Sequence, residues 1–247
     1  MKEFSFSQNW YQFLIMAAVC YLIGCFNFAR FISRWKKKDI TKMGSGNPGT
    51  MNMSREFGWK VGVLTFFCDA FKGGVPLLIS YFIYRGYYFS GTQVVVSDVT
   101  RYFCGLFVIV GHVFPAPYRF KGGKGIASTL GLFWMGLGAE NPWMYLIVFA
   151  FFWLIVLYIY LSEWGGMGSL IGVSTLSVAQ CLILAVRYAN ISFNAYMVCP
   201  FLCIFIINLI TWVAHWKNVC RLLSGEEHHT SVKKLVKKKK KKAEENC

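Results

Sequence analysis

Apolar side chains run almost unbroken over about Trp10–Ile32, until Arg34-Trp35-Lys36-Lys37-Lys38 ends the run. Similar runs recur at about Trp59–Tyr84, Tyr102–Phe114, Trp143–Leu161, Ser169–Arg187 and Ala195–Ala214. Most approach the roughly 20 residues that an α-helix needs to span a bilayer. The pattern predicts an all-α integral membrane protein. A further apolar segment, Gly125–Gly138, is short for a crossing at ~1.5 Å per residue. Were it not to cross, the Lys36–Lys38 cluster and the Lys-rich C-terminus would face opposite sides, which the positive-inside rule disfavours. Counting it as a thin crossing gives about seven transmembrane helices, an external N-terminus and a cytoplasmic C-terminus. Asn141-Pro142 then caps and starts the next helix.

Polar residues inside these runs need partners. Gly24, Asn27 and Arg30 recur every three residues, so one face of the first span is small and polar and turns inward. Asp69 and Lys72 stand one helical turn apart, and each alone would cost roughly 2.5–3.5 kcal/mol at mid-bilayer. They form either a structural ion pair or a substrate-facing pair. The hydrophilic stretch Arg85–Arg101 is expected outside the membrane.

Composition agrees with a membrane protein: 247 residues, 56% hydrophobic, with a mean hydropathy of +0.46. The formal charge of +15 is uneven, since residues 233–247 carry eight Lys against two Glu. Such a tail either contacts anionic lipid headgroups or is a solvated, disordered end. No aromatic or glycine pattern accompanies the lysines, so no nucleic-acid partner is expected. The chain divides into a membrane domain, 1–227, and a Lys-rich tail, 228–247. Nine cysteines lie without any Cys-x-x-Cys spacing, and most act as small apolar residues in helices. The first apolar run is long and lacks a small-residue cleavage site, so it is a retained helix and not a cleaved signal.

Two glycine-rich loops carry the candidate chemistry. Lys121-Gly122-Gly123-Lys124-Gly125 precedes a helix expected from Ile126, so glycine N–H groups, a helix N-terminus and two ammonium groups could converge on a phosphate. Gly44-Ser45-Gly46-Asn47-Pro48-Gly49 is followed by Asn52 and Arg55, which share a face if a helix starts near Thr50. Each loop alone can also be read as a basic interfacial turn. His215 and Asn218, at i and i+3, close the last span, whereas His112 reads as a packing residue. Ser169 offers a hydroxyl at a helix start, which alone reads as an N-cap. No Gly-x-Ser-x-Gly elbow, Walker loop, His/Asp acyltransferase pair or metal-ligand cluster occurs, and neither a metal nor a cofactor is expected.

Gly44–Asn52, Gly111-His112-Val113-Phe114-Pro115 with Phe120–Gly125, and His215…Asn218 near Arg221–Gly225 resemble the bacterial acyl-phosphate:glycerol-3-phosphate acyltransferases, the PlsY family. The resemblance runs from about Tyr21 to Glu227. It implies a seven-helix enzyme of the bacterial inner membrane, its active site facing the cytoplasm. The enzyme would move a fatty acyl group from acyl phosphate to the 1-hydroxyl of glycerol 3-phosphate, giving lysophosphatidic acid. Carried over by position, the catalytic residues are Ser45, Arg55, Lys124, His215 and Asn218. Gly44, Gly46, Asn47, Asn52, Gly122, Gly123, Gly125 and Ser169 join them in binding substrate phosphate. Three departures stand out. Gly166 replaces the first serine of the family's Tyr-x-Ser-Leu-x-Ser, Trp216 replaces a usual arginine, and Cys25 and Asn27 stand where Ser and Pro are common. The rival reading is a transporter of an anionic solute, which predicts helix breaks related by inverted repeats. No internal repeat is visible.

Overall fold

The computed structural model describes residues 1–225 and is helical almost throughout. The Lys-rich tail and the domain boundary expected at 227 lie outside the described residues. The helices in chain order are α1 (Phe6–Cys25), α2 (Phe28–Trp35), α3 (Thr50–Phe57), α4 (Trp59–Tyr84) and α5 (Val96–Val113). After them come α6 (Ile126–Glu140), α7 (Trp143–Ser162), α8 (Gly165–Tyr188), α9 (Ala195–Ala214) and α10 (Trp216–Leu223). A small parallel ribbon, unexpected from the sequence, pairs β1 (Lys2–Phe4) with β2 (Tyr87–Phe89).

Six segments are long and apolar enough to cross a membrane, α1 with α2 counting as one. The protein is a multi-pass membrane protein. α6, at 15 residues and thus ~22 Å, falls short of that length. Its ends nevertheless reach opposite faces of the bundle: Lys124, just before it, meets Asn218 at the start of α10, and Glu140 meets Arg101 of α5 and Arg187 of α8.

Small residues set the central packing. A Cβ on Gly131 of α6 would lie 2.1 Å from the carbonyl oxygen of Ala70 on α4, and one on Gly111 of α5 would lie 2.2 Å from that of Tyr21 on α1. Helices surrounded by hydrocarbon gain little from apolar burial, so such close backbone approach supplies their contact. α7 is apolar on every side and only Val148 is buried, as befits an outer helix facing lipid.

Two boundaries differ from the sequence expectation. The first span breaks at Phe26–Asn27, where Asn27 takes an extended conformation and caps α2 through its side chain. The third begins at Val96, not near Tyr102, so Ser97–Arg101 are helical and buried and not part of an external stretch. Their charges are satisfied within the protein. Asp98 pairs with Arg101 at 3.0 Å and with Arg187 at 2.6 Å, and Glu140 joins both arginines. A window of hydropathy counts these as polar because it cannot see the cross-helix partners.

Candidate active site

α5 ends at Val113, and Pro115 follows where the backbone leaves the helix. The chain turns back through Arg119 and Phe120, both at positive φ. Gly122 and Gly123 then donate their N–H groups to the carbonyls of Val113 and His112, each at 3.1 Å. Those are last-turn carbonyls with no intrahelical partner. The expectation that these two N–H groups converge on an anion is therefore corrected: they fold the loop onto the end of α5. Glycine is needed for the close approach, since a Cβ on Gly123 would stand 2.3 Å from Nε2 of His112. His112 itself is buried, with Nδ1 3.5 Å from the Ser128 hydroxyl, in keeping with a packing residue.

Gly125, at φ +83°, precedes α6 and gives it no side-chain cap. Among the described residues, no side-chain oxygen caps the first-turn N–H groups, which present the positive end of the helix. Lys124 stands one residue before Gly125, half-buried, and its Nζ donates to Oδ1 of Asn218 at 2.5 Å.

Asn218 lies in the first turn of α10, and His215 forms the joint between α9 and α10. Nδ1 of His215 is 2.9 Å from the Thr211 carbonyl, which can only accept, so the proton sits on Nδ1 and Nε2 keeps its lone pair. Burial, reinforced by the Lys124 ammonium, pushes the imidazole down to about 4, and the Thr211 hydrogen bond opposes this only in part. His215 is therefore neutral at pH 7.

The first loop is built differently from its sequence reading. Gly44 and Gly46 adopt positive φ, +54° and +70°. Asn52 is buried, and its side chain accepts from Ser45 N–H at 3.0 Å and donates to the carbonyls of Met43 and Ile40. It ties the loop together from a buried position, whereas Arg55, three residues on in the helix that starts at Thr50, is exposed. The side chains of Ser45 and Arg55 make no hydrogen bond or ion pair among the described residues. Asn47 is half-buried, and its carbonyl accepts from Gly49 N–H at 3.0 Å. Ser169 is not at a helix start, because α8 begins at Gly165, whose carbonyl accepts the Ser169 hydroxyl at 2.7 Å.

Lys124, His215 and Asn218 are thus brought together directly, whereas Ser45, Arg55 and Ser169 are not hydrogen-bonded to them. Two residues outside the expected site link the loops. Asn27 Nδ2 donates to the Pro48 carbonyl at 3.3 Å, and Arg30 Nη2 donates to the Lys121 carbonyl at 2.8 Å. The Arg30 guanidinium also lies 4.4 Å from the Tyr118 ring centroid. The polar spacing Gly24, Asn27, Arg30 was the signal that could have found them.

This geometry can be set beside known proteins. The glycerol-3-phosphate acyltransferase family matches residues 14–225. The glycerol-3-phosphate acyltransferase of Mycoplasmopsis pulmonis is 33% identical over 223 residues, 87% of this chain and 92% of the relative. That of Aquifex aeolicus is 32% identical over 216 residues, 87% of this chain and 97% of the relative. The crystal structure of PlsY, an integral membrane glycerol 3-phosphate acyltransferase, in its glycerol 3-phosphate form superposes with a TM-score of 0.68 at 29% identity. That match covers 91% of this chain and 98% of the other. Its lysophosphatidic acid form gives 0.64 at 30% identity, over 88% and 95% of the two chains. The chain belongs to the glycerol-3-phosphate acyltransferase family.

Proposed function

We propose that this protein transfers a fatty acyl group from acyl phosphate to the 1-hydroxyl of glycerol 3-phosphate, releasing lysophosphatidic acid and inorganic phosphate. The observation that carries the reading is the Lys124 ammonium, held on Asn218 at 2.5 Å before an uncapped helix start and beside the neutral His215. A cation and an open helix N-terminus suit a phosphate. In this scheme Lys124, Arg55 and Ser45 hold phosphate charge, while His215 and Asn218 orient the glycerol. The hydroxyl oxygen attacks the acyl carbonyl carbon, the bond from that carbon to the phosphate oxygen breaks, and phosphate leaves with the electron pair. The hydroxyl proton passes to the phosphate monoester of glycerol 3-phosphate, whose second pKa is about 6. With so good a leaving group, positioning and charge stabilisation carry the rate, and no side chain need act as base.

The same reading counts α6 as a seventh, thin crossing and places the site at the cytoplasmic face of a bacterial inner membrane, on the side of Lys36–Lys38. The transporter reading needs a gradient or counter-solute to do work, and acyl transfer needs neither. Detergent-solubilised protein given acyl phosphate and glycerol 3-phosphate should form lysophosphatidic acid and phosphate in equal amounts. Absence of product from folded protein would overturn the acyl-transfer reading.

A further inference from the structure

Within α4 lies a buried ion pair that acyl transfer, as written, leaves unused. Asp69 and Lys72 of α4 are 2% and 7% exposed, and Lys72 Nζ stands 3.1 Å from Asp69 Oδ1. Lys72 also reaches out of its own helix. Its Nζ donates to the Phe26 carbonyl at 2.7 Å and to the Gly24 carbonyl at 3.3 Å. These carbonyls belong to the end of α1, where the break leaves them without intrahelical partners. An unsatisfied backbone carbonyl in hydrocarbon costs several kcal/mol, and a cation at a helix C-terminus is favoured by the dipole as well. The break carries no proline, so the chain there has no covalent reason to leave the helix. Lys72 on one side and the Asn27 cap on the other hold it open.

Beyond the break, the chain connects directly to the site. Asn27 accepts from Arg30 N–H at 2.9 Å and holds the Pro48 carbonyl of the first loop. Arg30, one turn on, holds the Lys121 carbonyl three residues before Lys124. A single ammonium thus fixes the point from which both glycine loops are hung.

We propose that Lys72 is a positioning residue for acyl transfer, setting the α1–α2 break through which Asn27 and Arg30 align the two substrate-phosphate loops. The proposal rests on the reading of those loops as the glycerol 3-phosphate site. On this account Lys72 acts through the break and its two carbonyls.

A purely structural ion pair makes a different prediction, and this separates the two. Removing one partner leaves an unpaired buried charge, whereas removing both relieves it. On the positioning account, Lys72→Met raises KM for glycerol 3-phosphate by tenfold or more, and the Asp69→Asn/Lys72→Met double variant keeps that KM defect while regaining thermal stability. Asp69→Asn alone has a smaller effect on KM, because Lys72 keeps both carbonyls. Arg30→Met and Asn27→Ala, which leave the ion pair intact, reproduce the raised KM. A double variant with wild-type KM, or Arg30→Met and Asn27→Ala both with wild-type KM, would overturn the proposal. Wild-type enzyme run in parallel reports on the acyl-transfer reading independently: inactivity there sinks that reading and not the geometry of the break.

Discussion

Replacing Lys124 with methionine keeps the length and apolar stem of the side chain and deletes its charge. The half-buried ammonium, on Asn218 at 2.5 Å, is the group best placed to meet negative charge that grows on phosphate as the acyl bond breaks. Loss of one preorganised donor of this kind costs about 10²–10³ in kcat, or about 3–4 kcal/mol. Lys121 is the internal control. It is exposed, and its hydrogen bonds are backbone ones that survive substitution: its N–H donates to the Tyr118 carbonyl and its carbonyl accepts from Arg30. Lys121→Met should therefore stay within a few-fold of wild type. The assay is release of inorganic phosphate at saturating acyl phosphate and glycerol 3-phosphate, with folding checked by thermal unfolding in detergent. Lys124→Met should also let the His215 imidazole rise from about 4, though not to 6.5, because burial is the larger cause of its depression. Turnover of Lys124→Met within a few-fold of wild type would refute this placement of the lysine.

Gly131→Val should lower stability by about 1–3 kcal/mol or more, since its Cβ would stand 2.1 Å from a backbone oxygen that cannot rotate away; thermal unfolding measures it. Deleting Lys233–Cys247 should leave turnover nearly intact and at most weaken any preference for anionic lipid, which vesicle composition would test, and complete loss of activity in inserted protein would contradict this. His215 is held below its unfolded value, so the unfolded chain takes up the proton first as pH falls. Its contribution of about 3 kcal/mol is present above pH 6.5 and lost between about 6.5 and about 4. In His215→Gln that part of the acid destabilisation should be missing from unfolding curves.

The membrane architecture was legible because apolar runs of this length match the thickness of a bilayer, and the loops were legible because paired glycines beside lysines interrupt them. The break at Asn27 was not, since no proline marks it and one of its causes, Lys72, is remote in sequence. The burial of Ser97–Arg101 was hidden for the same reason: Asp98 and Arg101 read as external until Glu140 and Arg187 stand opposite them. Asn52 and Arg55 were placed on one face by their spacing. In the fold Asn52 turns inward to hold the loop and Arg55 turns out. Spacing on a helix of only eight residues says little about which side meets the protein. Lys124, His215 and Asn218 were all named from the sequence, but their meeting depends on how α6 and α10 begin, which spacing along the chain does not reveal.

The central claim is that these side chains position and neutralise while the substrate phosphate takes the proton. The pH dependence of kcat/KM reports the free enzyme and the free substrate. An imidazole base would place the acid limb near the depressed value of His215, about 4, whereas glycerol 3-phosphate places it near its own second pKa of about 6. The measurement is this profile for wild type and His215→Gln, with kcat at saturating glycerol 3-phosphate. The account predicts a limb near 6 in both proteins and a variant impaired mainly through KM. A wild-type limb near 4 that vanishes in His215→Gln, together with a large fall in kcat, would contradict it and make His215 the base.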